Sequence, residues 1–154
     1  LETGGGLKKA APYFTNEEAF VVMNVDVLTN LQLDKMINQH KSSNAIATLA
    51  VMQRESSRQL LFDDRMQLCG WLNKKSNERK IVRDSSRLKE YAFSGIHVIS
   101  PAIFSMPFNG KFSIIDVYLH FAATQAIQGY DHTGDVFLDV GKPESLEQAA
   151  GIFR

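Results

Sequence analysis

The spacing of apolar and polar residues along the chain changes rhythm several times, and each change marks an expected element. Residues 6–14 predict a short helix opened by glycine, with Pro12 placed late enough to bend or stop it. The triple glycine Gly4-Gly5-Gly6 is then expected ahead of that helix, at its N-terminus. Residues 20–23 (Phe-Val-Val-Met) form a continuous apolar run followed by Asn24-Val25-Asp26, the pattern of a strand buried on both faces whose polar carboxyl end leaves the core. Asp26 would stand at its tip. Leu33, Met36, Ile37 and His40 fall on one face of a helix over 33–41, with Thr29 or Asn30 as its cap. A second apolar run, 45–52, completes a strand-helix-strand unit and implies parallel pairing.

The middle of the chain has a different pattern. Residues 59–62 and 66–71, joined by Asp63-Asp64-Arg65, predict an antiparallel hairpin. Residues 74–87 carry Lys74, Lys75, Arg79, Lys80, Arg83 and Arg87 with few apolar positions, and predict a solvated loop, with a phosphate-binding patch as the other reading. Strand character returns over 91–100, and Pro101 opens a short helix through 104. Ser113 is placed to cap a helix running to 126 with Ile114, Val117, Tyr118 and Phe121 inward. Residues 128–130 and 135–138 predict short strands, and Pro143 starts a closing helix over 144–153. No internal repeat or low-complexity tract interrupts this order, so one domain, or part of one, is expected.

Composition narrows the function classes. With 154 residues, 44% hydrophobic and 22% charged, the chain has the make-up of one globular α/β domain. Seventeen Lys and Arg balance seventeen Asp and Glu, so no net field favours nucleic acid or an anionic membrane as partner. No apolar run approaches the length of a membrane span. A single cysteine, Cys69, forms no internal disulfide, and no signal-peptide pattern opens the chain, so the cytoplasm is the expected compartment. Cys69 reads as a small buried hydrophobe. The four histidines show no metal-ligand spacing, and no GxSxG elbow offers a serine nucleophile.

Two carboxylates stand out by position. Asp26 follows a buried strand, and Asp139, in Phe137-Leu138-Asp139-Val140-Gly141-Lys142-Pro143-Glu144, precedes a glycine turn and a proline-started helix. Ligands of open α/β sheets bind beyond the carboxyl ends of strands. Both are hard oxygen donors suited to Mg²⁺, which takes one or two carboxylates and completes its shell with phosphate oxygens and water. The alternative for each is a turn-former or helix cap. Gly4-Gly5-Gly6 before a helix offers free N–H groups to an anion, and is neither a Walker A loop nor a GxGxxG fingerprint. A flexible chain start is its plain alternative.

Taken in order, Leu1-Glu2-Thr3-Gly4-Gly5-Gly6-Leu7-Lys8-Lys9-Ala10, Val22-Met23-Asn24-Val25-Asp26-Val27-Leu28-Thr29, Phe93-Ser94-Gly95-Ile96-His97-Val98-Ile99-Ser100-Pro101, Ser113-Ile114-Ile115-Asp116-Val117-Tyr118-Leu119 and Asp139-Val140-Gly141-Lys142-Pro143-Glu144 resemble the sugar-1-phosphate nucleotidyltransferases. The nearest branch contains the mannose-1-phosphate guanylyltransferases and N-acetylmuramate-1-phosphate uridylyltransferases. The resemblance implies a Rossmann-like α/β fold with a mixed, mostly parallel sheet. It implies an enzyme that joins a nucleoside triphosphate to a sugar 1-phosphate and releases pyrophosphate. It further implies Asp26 and Asp139 as catalytic Mg²⁺ ligands, and Gly4, Gly5 and Gly6 as the segment bordering the nucleotide. Gly95 is implied as a lining of the sugar pocket, with Asn24 and Glu2 as further substrate contacts.

Val25 stands where that family often has Gly, Lys142 where Thr is usual and Phe137 where Trp is common. The family's N-terminal strand and Gly-rich loop are expected to be absent, so that residues 1–154 correspond to the later two-thirds of the catalytic domain and are expected to be inactive alone. An edge left open in this way favours pairing with another chain or a homo-oligomer. A non-catalytic domain that senses a nucleotide sugar or serves as a regulatory subunit is the alternative, and an ordinary interaction domain with both Asp residues as caps is a third.

Overall fold

The computed structural model describes residues 2–153. The chain runs α1 (Thr3–Ala10), a 3₁₀ turn (Ala11–Tyr13), β1 (Phe20–Met23), β2 (Val27–Thr29), α2 (Leu33–Lys41), β3 (Ala47–Met52), β4 (Arg58–Phe62), β5 (Leu68–Asn73), β6 (Glu78–Ile81), β7 (Lys89–Ile99), a second 3₁₀ turn (Pro101–Ser105), α3 (Ile114–Ala122), β8 (Ile127–Asp131), β9 (Phe137–Asp139) and α4 (Pro143–Ile152). Seven strands form one mixed sheet in the order β6-β5-β4-β7-β3-β8, and β1 lies beside β7; β2 and β9 form a separate ribbon. No helix of the described residues is long and apolar enough to cross a membrane.

The expected mixed α/β sheet is present, with a different balance of directions. Only β3–β8 is a parallel ladder, while β1–β7, β3–β7, β4–β7, β4–β5 and β5–β6 are antiparallel. The reason is β7. At eleven residues it is long enough to carry β3 along one edge and both β4 and β1 along the other. β1 and β3 do run in the same direction, as the strand-helix-strand pattern requires, but β7 separates them.

Side chains of β3 alternate between two cores, which is why all six of its residues are buried. Ala47, Leu49 and Val51 meet α1 and α3 through Leu7, Val117, Tyr118 and Phe121. Ala50 meets Met36 of α2 together with Ile96 and Val98. The sheet is therefore covered on both faces. Two buried histidines are paired: His40 lies between Thr48 Oγ1 (2.9 Å) and Ser100 Oγ (2.8 Å), and His97 Nδ1 meets the Tyr118 hydroxyl.

Several local expectations are corrected. The first helix begins at Thr3, so Gly4, Gly5 and Gly6 form its opening turns and do not precede it. Glycine weakens a helix, but here the missing side chain is needed: a Cβ on Gly4 would lie 2.5 Å from the Phe112 ring. β1 is buried at Phe20 only, with Val21 37% and Met23 46% exposed, and among the described residues it pairs with β7 alone. Thr29 and Asn30 do not cap α2, whose N-cap is Gln32. They bind the backbone of Val136, tying β2 to the approach of β9. The solvated stretch 74–87 contains β6, a fully exposed edge strand paired with β5. α3 ends at Ala122, four residues short of the expected limit, and Ser113 caps it by accepting from the Ile115 N–H at 3.2 Å.

Candidate functional site

β1, β3 and β8 point the same way, and their carboxyl ends open at one end of the sheet. The turn after β1 supplies Asn24 and Asp26, the loop after β3 supplies Arg54, and the β2–β9 ribbon closes over the same place. The ribbon register sets Val27 opposite Asp139, and the Val140 N–H donates to the Asp26 carbonyl at 2.7 Å. Two aspartates far apart in sequence are thus locked side by side through backbone pairing.

Their carboxylates face each other across Gly141. A Cβ built on Gly141 would lie 3.1 Å from Asp139 Oδ1 and 3.1 Å from Asp26 Oδ2, so the two oxygens are separated by no more than twice that distance. The Gly141 N–H donates to Asp139 Oδ1 at 3.0 Å and fixes its rotamer. Asp139 is exposed and Asp26 half-buried, so both keep access to solvent. They line a cavity of about 280 Å³ with Asn24, Gly95, Arg54, Lys142 and Phe137. A cleft of about 220 Å³ beside Trp71 and Leu60 has no carboxylate in its wall.

Gly95 is required by its backbone. Its φ of +73° lies in the left-handed region, and a Cβ there would come within 2.5 Å of Asn24 Nδ2. The Asn24 N–H also donates to the Gly95 carbonyl at 2.9 Å, so the end of β1 is sealed against β7 at this point. Asn24, Asp26, Gly95 and Asp139 are therefore brought together. Glu2, Gly4, Gly5 and Gly6 are not: they belong to α1, which packs on Phe112 and α3, and none lines this cavity.

Two features escaped the sequence. Arg54 sits at the end of buried β3, where its guanidinium stacks 4.4 Å from the Phe137 ring centre and donates through Nη2 to the Phe93 carbonyl at 3.1 Å. Burial lowers its pKa from the ordinary value and nearby Asp139 opposes that shift. A charged residue two positions beyond a fully buried strand was the available signal, akin to the one that marks Asp26. The other feature is a row of Ser94, His132 and Asp135: Ser94 Oγ is 2.7 Å from His132 Nε2, and His132 Nδ1 is 3.5 Å from Asp135 Oδ2. Ser94 is 1% and His132 4% exposed, so this row stiffens the cavity wall and presents no nucleophile to a ligand. Burial lowers the His132 pKa, and Asp135 acts against that.

The donors present fit Mg²⁺: two hard carboxylates converge on a space kept open by a glycine, and this ion takes one or two carboxylates with the remainder from phosphate and water. No group of three or more potential metal-binding side chains exists among the described residues.

The sequence matches no family model and no curated protein. Solved structures do match in fold. HddC from Yersinia pseudotuberculosis is 22% identical with a TM-score of 0.69, the match covering 100% of this chain and 63% of that one. UDP-glucose pyrophosphorylase from Acinetobacter baumannii is 16% identical with a TM-score of 0.72, over 95% of this chain and 54% of that one. The UTP-bound UGPase from the same species is 17% identical with a TM-score of 0.75, over 97% and 55%. The chain thus spans less than two-thirds of the length of these structures. Its architecture, a mixed α/β sheet with the long β7 near its centre, is the fold of these three structures.

Proposed function

We propose that the protein of this chain joins a nucleoside triphosphate to a sugar 1-phosphate, forming a nucleotide sugar and releasing pyrophosphate. The observation that carries this reading is the pair Asp26 and Asp139, facing across Gly141 where the turn after β1 meets the β2–β9 ribbon. A fold shared with a pyrophosphorylase and with a UTP-bound protein supports it.

In the reaction, an oxygen of the sugar phosphate attacks the α-phosphorus. A new P–O bond forms, the bond to the β-phosphate bridging oxygen breaks, and its electron pair leaves with pyrophosphate. No protein nucleophile is needed, because the attacking oxygen is already an anion. The difficulty is the meeting of several negative charges, so alignment and neutralisation carry the catalysis. Asp26 and Asp139 would hold Mg²⁺, which when bound neutralises phosphate charge and polarises the α-phosphorus. Asn24 and Gly95 form the wall against which a sugar would rest. Gly4, Gly5 and Gly6 are assigned to the nucleotide side, and Glu2 to a base-side or sugar-side contact, on the resemblance alone; the Gly6 N–H already donates to the Glu2 carbonyl at 3.0 Å, so only the N–H groups ahead of it in the opening turn of α1 are left as backbone donors.

The test is pyrophosphate release by the full-length protein across a panel of nucleoside triphosphates and sugar 1-phosphates with Mg²⁺. Turnover with one pairing supports the reading. Tight binding of a nucleotide or nucleotide sugar without turnover would support the sensing alternative.

A further inference from the structure

The cavity holds a cation whose hydrogen bonding is incomplete. Arg54 Nε is buried and no acceptor in the protein reaches it. Nη2 is engaged by the Phe93 carbonyl, and among the described residues no bond is made by Nη1. No carboxylate lies within ion-pair distance of the guanidinium among the described residues, although Asp139 is close enough to influence it. A purely structural arginine is normally matched to a carboxylate or to several carbonyls, since a buried donor without a partner is costly. Here the side chain is instead fixed at two points, the Phe137 face and the Phe93 carbonyl, and its remaining donors are left over.

What those donors suit follows from their surroundings. The guanidinium fork matches phosphate and carboxylate oxygens, and it binds them bidentately. Two carboxylates already occupy the cavity, so an acidic ligand would be repelled unless a cation met it, and Lys142 adds a second positive charge at the rim. Arg54 is pre-oriented, whereas Lys142 is an exposed, flexible point charge.

We propose that Arg54 is a substrate-binding residue whose guanidinium grips a phosphate oxygen of the ligand seated against Asp26 and Asp139. This deepens the nucleotidyltransferase reading and rests on it. The phosphate belongs to the sugar 1-phosphate or to the triphosphate, and the two sources separate on titration.

The experiment uses full-length wild type, Arg54→Gln and Arg54→Lys, titrated calorimetrically with glucose 1-phosphate, mannose 1-phosphate and inorganic phosphate in one arm, and with Mg²⁺-UTP and Mg²⁺-GTP in the other. Thermal unfolding of each protein runs alongside. Arg54→Gln is expected to weaken at least one arm tenfold or more, and the arm affected identifies the phosphate. Arg54→Lys, which keeps the charge and loses the fork, is expected to weaken the same arm at least threefold. Should Arg54→Gln fail to fold, the Arg54→Lys titration decides alone. Wild-type affinity in both arms for the folded variants would overturn the role of Arg54 and leave the nucleotidyltransferase reading standing. Failure of the wild type to bind any of these probes would overturn both.

Discussion

Gly141 is the position at which the metal assignment is most exposed to a single methyl group. In Gly141→Ala the added Cβ would stand 3.1 Å from both Asp26 Oδ2 and Asp139 Oδ1, tighter than ordinary van der Waals contact. Each carboxylate must therefore withdraw by a few tenths of an ångström, and Asp139 does so against the hydrogen bond it accepts from the Gly141 N–H. Mg²⁺ demands near-octahedral oxygens at roughly 2.0–2.1 Å, so a shift of that size costs it a well-placed ligand. Misplacing a supporting group at a metal site typically lowers affinity about 10–100-fold, and a loss near the low end is expected because both carboxylates remain. The fold itself should tolerate the change. Gly141 is exposed and its φ lies outside the left-handed region, so alanine is compatible with the backbone there. The assay is Mg²⁺ titration of pyrophosphate release by the full-length protein, with thermal unfolding as control: the half-saturating Mg²⁺ should rise about tenfold at nearly unchanged Tm. An unaltered Mg²⁺ dependence in the folded variant would refute the placement of the ion between these carboxylates.

Two other predictions concern the fold. Gly4→Ala sets a Cβ 2.5 Å from the Phe112 ring and 2.9 Å from its carbonyl oxygen, so α1 must lift from the 112 segment; the expected destabilisation is about 1–3 kcal/mol, read by denaturant unfolding. His97 is held neutral by burial, its pKa pushed down to about 3 from an ordinary 6.5, and burial also lowers His40 and His132. Because the unfolded state takes up these protons first, stability should be complete above pH 6.5 and fall progressively as pH drops towards 3, by an amount on the order of a few kcal/mol for His97 alone. Urea midpoints across that window check it, and a flat profile would contradict the neutral buried state.

How far the sequence carried these conclusions varies by element. The helix over Leu33–Lys41 was legible to the residue, because Met36 and His40 at helical spacing are the ones the core buries. The hairpin of β4 and β5 was legible from its acidic turn. β6 was not, since all four of its residues are exposed and its pairing with β5 is made by backbone groups, which leave no side-chain pattern. The glycine turn of α1 was not legible, because intrinsic propensity argues against a helix there and the Phe112 ring that requires glycine at position 4 lies far along the chain. Strand direction was read correctly for β1 and β3, yet no local signal shows that a strand from much later in the chain inserts between them. Asp26 and Asp139 could each be marked as strand-end carboxylates, while their meeting depends on the register of β2 with β9, which pairing across the chain alone decides. Arg54 stands beyond the end of β3 in the same way, but an arginine there is as readily a solvated loop residue, and only the Phe137 ring across the chain sets it apart.

The central claim is that Asp26 and Asp139 form one metal-dependent centre for nucleotidyl transfer. Asp26→Asn and Asp139→Asn preserve shape and remove one charge each, so their effect on Mg²⁺-dependent pyrophosphate release by the full-length protein tests it most directly. Loss of an ionised ligand that acts in the transition state should lower kcat/KM by about a hundredfold or more in either variant. The double variant should be little worse than the worse single one, because residues acting as a unit are not additive. Near-wild-type turnover in either folded single variant, with unchanged Mg²⁺ dependence, would contradict the account.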